Sequence, residues 1–153
     1  MRKSNNKLKR KEYVRDGRAP IPKKEKTSEI MSAIKGKNTK PEIMLRKSLF
    51  ENNIRGYRIH WKKAPGNPDI CFPGRKIAIF VHGCFWHRCP HCNLHIPKSH
   101  SEYWTNKFNK NIERDIRHQN ELKQLGWRFL IFWECQIKKN LSDCVCKIKK
   151  TIC

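Results

Sequence analysis

The sequence predicts a layered α/β domain in which a mixed β-sheet is flanked by helices. Hydrophobic periodicity places the elements in the order helix, three strands, helix, strand, helix. The connection between the third and fourth strands is long and contains a helix, which is typical of a sheet with helices packed on its faces. A chain of 153 residues with 37% apolar and 31% charged residues is long enough for one domain with a modest core.

The N-terminal segment differs in composition from the rest of the chain. Residues 1–26 contain eleven Lys or Arg, three acidic residues and few apolar ones. Such a segment cannot bury enough surface to offset the entropy lost on ordering. We therefore expect a disordered basic arm over 1–26 and a single domain over 27–153.

Two helices are predicted next. Thr27 or Ser28 is a suitable N-cap for a short helix that runs through Ile34. Thr39 then caps a second helix that continues to about Asn52. The apolar residues expected to face inward on this second helix are Leu45, Leu49 and Phe50.

Three strands follow. Residues 56–61 alternate in the manner of a half-buried strand, and the turn at 65–68 leads into another strand at 69–72. The Pro-Gly pair at 73–74 then turns the chain into a third strand, 76–81, whose β-branched and apolar content is that of a buried strand.

The C-terminal part is predicted to hold a helix, a strand and a helix. Residues 102–125 are expected to be helical, 127–133 are apolar enough for a central strand, and 141–152 form a basic terminal helix. We expect Trp127 and Trp133 to lie in the core. The stripe expected to face inward on the first of these helices is Phe108, Ile112, Ile116, Leu122 and Leu125.

Charge points to a polyanionic partner. The chain has 35 Lys and Arg against 13 Asp and Glu, a formal net charge of +22, and no stable fold requires such self-repulsion. Nucleic acid is the first partner to consider, and an anionic membrane surface is the alternative. No apolar run approaches the roughly 18 residues of a spanning helix, so no membrane association is expected.

The eight cysteines favour a metal site over a disulfide framework. The spacing of Cys89-Pro90-His91-Cys92 is that of a zinc knuckle, and no export signal accompanies it. Five candidates, Cys84, Cys89, His91, Cys92 and Cys135, compete for four tetrahedral positions. The cysteines outside this group, expected to be buried or incidental thiols, are Cys71, Cys144, Cys146 and Cys153.

A carboxylate and a histidine are expected at neighbouring strand ends. Asp69 opens one strand, and the next strand ends at His82. Asp69 with a backbone carbonyl near Val81 would suit Mg²⁺, which prefers oxygen ligands. An Asp after a Pro is also a common turn residue, and that alternative stays open on spacing alone.

Several specific motifs occur in one order between residues 29 and 135. They are Pro68-Asp69, FVHGCFWH at 80–87, Tyr103-Trp104, NIERD at 111–115, Gly126-Trp127 and WEC at 133–135. Together they resemble the very-short-patch-repair (Vsr) endonucleases. These enzymes nick one strand 5′ to the T of T:G mismatches that deamination of 5-methylcytosine leaves, and they share the restriction-endonuclease-like fold.

The resemblance implies catalytic roles for five residues. Asp69 holds Mg²⁺ with the Val81 carbonyl, Glu42 supports the site, His82 and His87 are catalytic, and Asp115 is the partner of His87. The family commonly has Thr where this chain has Val81, an exchange that leaves a backbone carbonyl in place. Chemically, an imidazole can take a proton from water at neutral pH, and a carboxylate on its far nitrogen fixes the tautomer. From spacing alone, an ion pair with Arg114 is an equal alternative for Asp115.

The resemblance also implies a structural zinc and a DNA-intercalating wedge. An ungapped match to the family would select Cys89 and His91 as zinc ligands, whereas Cys-x-x-Cys chemistry selects Cys89 and Cys92. We prefer the set Cys84, Cys89, Cys92 and Cys135, with His91 as the alternate ligand; His95 and His100 are expected to be surface residues. The implied intercalating residues are Phe85, Trp86, Trp104 and Met31.

The implied setting is DNA repair. We expect double-stranded DNA with a T:G mismatch as substrate, functional pairing with a cytosine-5 methyltransferase, a monomer, and a place in the bacterial cytoplasm at the nucleoid. Two rival functions are a restriction-type endonuclease that cuts paired duplex and a non-catalytic zinc-containing DNA-binding module. The second rival leaves Asp69, His82, His87 and Asp115 without a role.

Overall fold

The computed structural model of the chain describes Ile30 and residues 33–153. The predicted arm over 1–26 therefore lies outside the described residues, and so does Met31. Along the described part the elements are α1 (Lys40–Glu51), β1 (Arg58–Ile59), β2 (Ile70–Phe72), a 3-10 turn (Pro73–Arg75), β3 (Ile77–His82), α2 (Ser101–Gln124), β4 (Arg128–Trp133), α3 (Glu134–Lys139) and α4 (Leu141–Ile152).

Within the described residues the strands form one four-stranded mixed sheet in the order β1-β2-β3-β4. β1 pairs with β2, and β2 with β3, in antiparallel fashion. β3 and β4 are parallel, with Ile77 opposite Arg128 and His82 opposite Trp133. The predicted mixed α/β architecture is confirmed, and the parallel pair brings the ends of β3 and β4 side by side.

Alternation along β3 divides the core between the two faces of the sheet. Ile77 and Ile79 are fully buried in a cluster with residues of α1, α3 and α4, among them Leu45, Ile137 and Ile148. The intervening Ala78 belongs to a second cluster that includes Leu122 of α2. Since side chains alternate across a strand, this division places helices on both faces of the sheet.

The first predicted strand is shorter than expected. β1 has only two residues, both exposed, instead of the half-buried span 56–61. Gly56 and His60 flank it with φ of +81° and +46°. Left-handed backbone departs from the extended strand conformation, so the strand is confined to the residues between these two positions.

The inward face of α2 differs from the predicted stripe. Phe108 and Leu122 are buried, but the other three members of the stripe, Ile112, Ile116 and Leu125, are exposed. At 100° per residue, spacing of four drifts around the helix, whereas spacing of seven returns within about 20°. The buried face therefore follows Phe108, Asp115 and Leu122, and a carboxylate lies at its middle.

Four other predictions about burial or position were wrong. Phe50 is 61% exposed, because it lies about 100° around α1 from buried Leu49, and Arg55 covers its ring at 3.6 Å. Trp127 and Trp133 are half-buried instead of fully buried, although Trp127 packs against the second core cluster. β4 is an edge strand of the sheet that the described residues form, although its apolar sequence predicted a central position.

A short helix, α3, was not predicted. It begins directly after β4 and buries Ile137, and α4 follows at Leu141 as expected. Among the described residues, no helix has the length and apolar character needed to cross a membrane.

Candidate active site

Asp69 is fixed against the end of β3. It follows the fully buried Pro68 and immediately precedes β2. Its Oδ2 accepts a hydrogen bond of 2.7 Å from the backbone N–H of Val81. The antiparallel pairing of β2 with β3 produces this contact, so the predicted proximity of Asp69 to the end of the next strand is present in the structure.

Glu42 lies beside Asp69, in the first turn of α1. Its side chain is buried and accepts hydrogen bonds from the backbone N–H of Asn38 at 2.9 Å and from Thr39 Oγ1 at 2.7 Å. One oxygen of Glu42, one of Asp69 and one nitrogen of His60 all lie within 4.8 Å of each other. Two carboxylates and an imidazole in this arrangement are a donor set that fits a divalent cation.

His82 and His87 stack on each other at the carboxyl end of β3. Their ring centroids are 3.9 Å apart and their planes differ by 11°. His82 is buried, with the Trp133 ring edge-on at 5.3 Å. A turn after β3, in which the His87 N–H donates to the Gly83 carbonyl at 3.2 Å, brings His87 back over His82.

Asp115 approaches the pair from the buried face of α2. Its Oδ2 forms a short hydrogen bond with Nδ1 of His87, and Arg114 Nη2 lies 3.4 Å from its Oδ1. One turn earlier, Asn111 Nδ2 donates to the Trp86 carbonyl at 3.0 Å. The helix therefore holds the loop after β3 at two successive points, and Asp115 contacts both His87 and Arg114.

Burial sets the charge states of these groups. It raises the pKa of Asp69 to about 6. The hydrogen bond from Val81 lowers this pKa, whereas the negative charge of Glu42 raises it further. Burial lowers the pKa of His82 to about 4, to which the charge of His87 contributes, so His82 is neutral at neutral pH. Burial alone would raise the pKa of Asp115. The hydrogen bond with His87 and the charge of His87 outweigh burial and hold the pKa of Asp115 below its usual value.

Four cysteines form a second cluster behind this site. One sulfur from each of Cys84, Cys89, Cys92 and Cys135 lies within 4.8 Å of the other three, and the Cys89 and Cys135 sulfurs are 3.7 Å apart. Sulfurs about 2.3 Å from a tetrahedral zinc ion would be roughly 3.8 Å apart, so the cluster fits zinc. His91 is exposed and is not part of this group.

An aromatic cluster flanks the histidines. The Phe85 ring contacts those of Trp86, Trp104 and Phe108 with centroid distances of 5.1, 5.5 and 5.2 Å. Phe108 is buried, whereas the other three rings are half-buried. The structure thus brings together the three described residues of the predicted wedge on a buried anchor, Phe108, which the sequence identified only as a helix-face residue.

One open cleft of about 1100 Å³ is lined by the carboxylates and histidines of the site and, from the aromatic cluster, by Trp86. The basic residues that line the same cleft are Lys35, Lys37, Lys40, Lys107, Arg114 and Lys138. A cationic cleft that also contains acidic groups suits a phosphodiester backbone that must approach a cation site.

Sequence reasoning missed His60. It lies just after the short strand β1, and the alternation of 56–61 suggested only a strand residue there. The available signal was an isolated histidine nine residues before Asp69, which is too weak to identify a site without the fold.

Comparison with known proteins agrees with this geometry. The family model described as DNA mismatch endonuclease Vsr matches residues 20–94. The type II nicking enzyme V.NmeAIP of Neisseria meningitidis serogroup A is 44% identical over 74% of this chain and 80% of its own length. V.XorIIP of Xanthomonas oryzae, also a type II nicking enzyme, is 41% identical over 71% and 79%. The DNA mismatch endonuclease Vsr of Escherichia coli K12 is 39% identical over 82% and 81%. A nuclease-type cleft in a mixed α/β fold and these relatives together show that the chain belongs to the Vsr family of DNA mismatch endonucleases.

Proposed function

We propose that this endonuclease hydrolyses one strand of duplex DNA 5′ to the T of a T:G mismatch, leaving a 3′-OH and a 5′-phosphate, in a reaction that depends on Mg²⁺. The observation that carries the proposal is the cleft in which the Asp69 carboxylate and the His82–His87–Asp115 set lie beside an aromatic cluster. A nuclease needs the carboxylate and the histidine set, and selection of a mismatch gives the aromatic cluster a role.

Asp69 and the Val81 carbonyl would hold the cation, with Glu42 in support. The chemistry that Mg²⁺ would supply there is the withdrawal of charge from the scissile phosphate and its leaving oxygen. The Val81 N–H fixes one oxygen of Asp69 and leaves the other available. The buried first turn of α1 fixes Glu42 through Asn38 and Thr39.

His87 is the proposed general base. Its Nδ1 is engaged by Asp115, so Nε2 is the nitrogen that remains to take a proton from the attacking water. Asp115 then stabilises the imidazolium. His82, kept neutral by burial, can donate one N–H to a phosphate oxygen while its ring supports that of His87.

Phe85, Trp86 and Trp104 are proposed to enter the base stack at the mismatch, with Met31 acting from the opposite groove. Phe85 and Trp104 pack on Phe108, and all three rings of the proposed wedge stay partly exposed. Opening a base step costs a few kcal/mol, and a mismatched pair opens at lower cost than a paired one. Discrimination between T:G and fully paired DNA follows from that difference.

The remaining parts of the proposal concern structure and setting. Zinc on Cys84, Cys89, Cys92 and Cys135 would link the loop after β3 to the start of α3. Such a site would be structural, because the protein supplies all four ligands. The enzyme is proposed to act as a monomer at the bacterial nucleoid, at sites of a partner cytosine-5 methyltransferase.

The test is scission of end-labelled duplexes that differ in a single pair. T:G, T:A and C:G duplexes with randomised flanks are incubated with Mg²⁺ and wild-type protein. Nicking confined to T:G supports the proposal, and the flanks of the cleaved molecules give the sequence context. Equal cleavage of all three duplexes would instead establish the restriction-type activity.

Asp69→Ala is the control variant for the same assay. It should abolish nicking and retain DNA binding, because it removes the cation ligand and leaves the basic cleft intact. Retained nicking by this variant would contradict the assigned role of Asp69. Failure of the wild type to cleave any duplex would support the binding-module alternative.

A further inference from the structure

His60 lies between the two carboxylates of the proposed cation site. Its Nε2 is 3.6 Å from Glu42 Oε2, and its Nδ1 is 3.8 Å from Asp69 Oδ1. The side chain is only 14% exposed. The mechanism above gives it no role, although it belongs to the same group of potential ligands as Glu42 and Asp69.

These distances are too long for hydrogen bonds, which join nitrogen and oxygen at about 2.7–3.2 Å. The two distances involve different nitrogens of the ring, and only one of them can bind a cation together with the carboxylates. One nitrogen of His60 and one oxygen of each carboxylate lie within 4.8 Å of one another. Ligand atoms about 2.1 Å from a cation and 90–120° apart around it are roughly 3.0–3.6 Å from each other, so the three groups would close slightly around a shared ion.

Hydrogen-bonding needs do not explain the position of His60. Glu42 Oε2 already accepts the Asn38 N–H at 2.9 Å, and Oε1 accepts Thr39 Oγ1 at 2.7 Å. The Asn38 side-chain oxygen, 3.4 Å from His60 Nε2, already accepts Arg46 Nη2 at 2.8 Å. His60 is thus not required to satisfy either neighbour.

The backbone brings His60 to this place. The N–H of His60 donates to the Asp69 carbonyl at 3.3 Å, which continues the pairing of β1 with β2 by one residue. This backbone hydrogen bond places the Cα of His60 beside Asp69, within reach of its carboxylate.

We propose that His60 supplies a nitrogen ligand to the cation that Asp69 and Glu42 hold, so that the site accepts Mn²⁺ as well as Mg²⁺. The inference rests on the proposed function for the presence of that cation. Mg²⁺ prefers oxygen ligands, whereas transition-metal ions also accept imidazole. A ligand set of two carboxylates and one imidazole is therefore less selective against Mn²⁺ than an all-oxygen site.

The test reads the ligand directly and needs no turnover. Zinc-loaded wild-type protein is mixed with one equivalent of Mn²⁺ and no DNA, and electron spin-echo modulation is recorded. Coupling of the manganese spin to a nitrogen nucleus is expected, and labelling histidine with ¹⁵N should change its frequency. Absence of nitrogen coupling in wild-type protein would overturn the proposal whatever the variants do.

His60→Gln and His118→Gln form a matched pair of variants. His118 lines the same cleft, but lies outside the group formed by Glu42, His60 and Asp69. His60→Gln should lose the nitrogen coupling and weaken Mn²⁺ binding by about tenfold or more, with a smaller effect on Mg²⁺. His118→Gln should retain both properties, and coupling that persists in His60→Gln would refute the assignment.

The spectroscopic test and the duplex assay address separate claims, so either claim can be refuted without the other. Nitrogen coupling that is lost in His60→Gln, without T:G nicking, would contradict the proposed function and leave His60 as a metal ligand. Nicking without nitrogen coupling would leave the proposed function in place and remove His60 from the cation site.

Discussion

At His87 the ring nitrogen that faces α2 is committed to Asp115, so the carboxylate determines which nitrogen can act as a base. Asp115→Asn removes the negative charge that favours the imidazolium and allows the wrong tautomer. We expect the single-turnover nicking rate to fall by roughly a hundredfold to ten-thousandfold, with DNA affinity little changed. Quenched-flow measurement on a T:G duplex gives the rate.

Glu113→Gln is the appropriate control, since Glu113 is an exposed acid on the same helix two residues away. It should nick at close to the wild-type rate. If Asp115→Asn also remained within threefold of wild type, Asp115 would be only the ion-pair partner of Arg114.

Asp69 illustrates the energetic cost of a buried acid. Its folded pKa of about 6 lies above the ordinary value of 3.8, so the folded chain holds more protons between these two pH values. The free energy of unfolding therefore falls as pH rises across that window. Without added Mg²⁺, Asp69→Asn should stabilise the protein by about 1–3 kcal/mol at pH 7 and by little at pH 4.

Urea unfolding at both pH values measures this difference. Glu51→Gln, which changes an exposed acid on α1, should show no pH-dependent gain. An equal effect of Asp69→Asn at pH 4 and pH 7 would show that packing, and not ionisation, causes the stabilisation.

At the residue scale, motif spacing anticipated which groups meet, but not all of them. Asp115 and His87 are 28 positions apart, and their contact follows from a motif match and a helix face. His60 reaches Asp69 only because a two-residue strand ends beside it. No periodicity in the sequence encodes that tertiary contact.

Among the elements, the loop after β3 depends most on the cysteine cluster and less on its own packing. It is joined to the start of α3 through the cysteine cluster, in which the Cys135 N–H also donates to Cys84 Sγ at 3.4 Å. Cys92→Ser should reduce bound zinc well below about one per chain and lower the melting temperature. Elemental analysis with calorimetry measures both quantities.

His91→Ala separates the two proposed ligand sets. His91 is exposed and lies outside the cysteine cluster, so this variant should keep its zinc and its melting temperature. Zinc lost from His91→Ala but kept by Cys92→Ser would favour the mixed set with His91.

Element boundaries were predictable where local chemistry marks them. Thr39 begins α1 and Gly126 follows α2 closely, as expected from cap and breaker residues. The inward face of α2 was not predictable from apolar spacing, because Asp115 occupies a position on that face. A polar residue there hides the seven-residue repeat that a purely apolar face would show.

For the whole molecule, charge governs how DNA is bound before it is cut. Residues 1–26 hold eleven of the 35 basic residues. Each lost phosphate contact lowers the slope of log affinity against log salt by about 0.9, so deleting 1–26 should reduce that slope by several units. Fluorescence anisotropy on a T:G duplex without Mg²⁺ provides the measurement.

An arm of unchanged length with its eleven basic residues replaced by Gln is the matched control. It should reproduce the slope of the deletion if charge is the cause. An unchanged slope after deletion would show that the arm stays in solvent while the cleft binds DNA.

The parallel pairing of β3 with β4 joins segments about fifty residues apart in sequence. Contacts of such long range form late, because the entropy of closing the loop must be lost first. His82 lies at the end of that pairing and Cys135 just beyond it, so their contacts with Trp133 and Cys89 form only when it is complete. A partly folded chain therefore carries its positive charge before the groups of the candidate site have met.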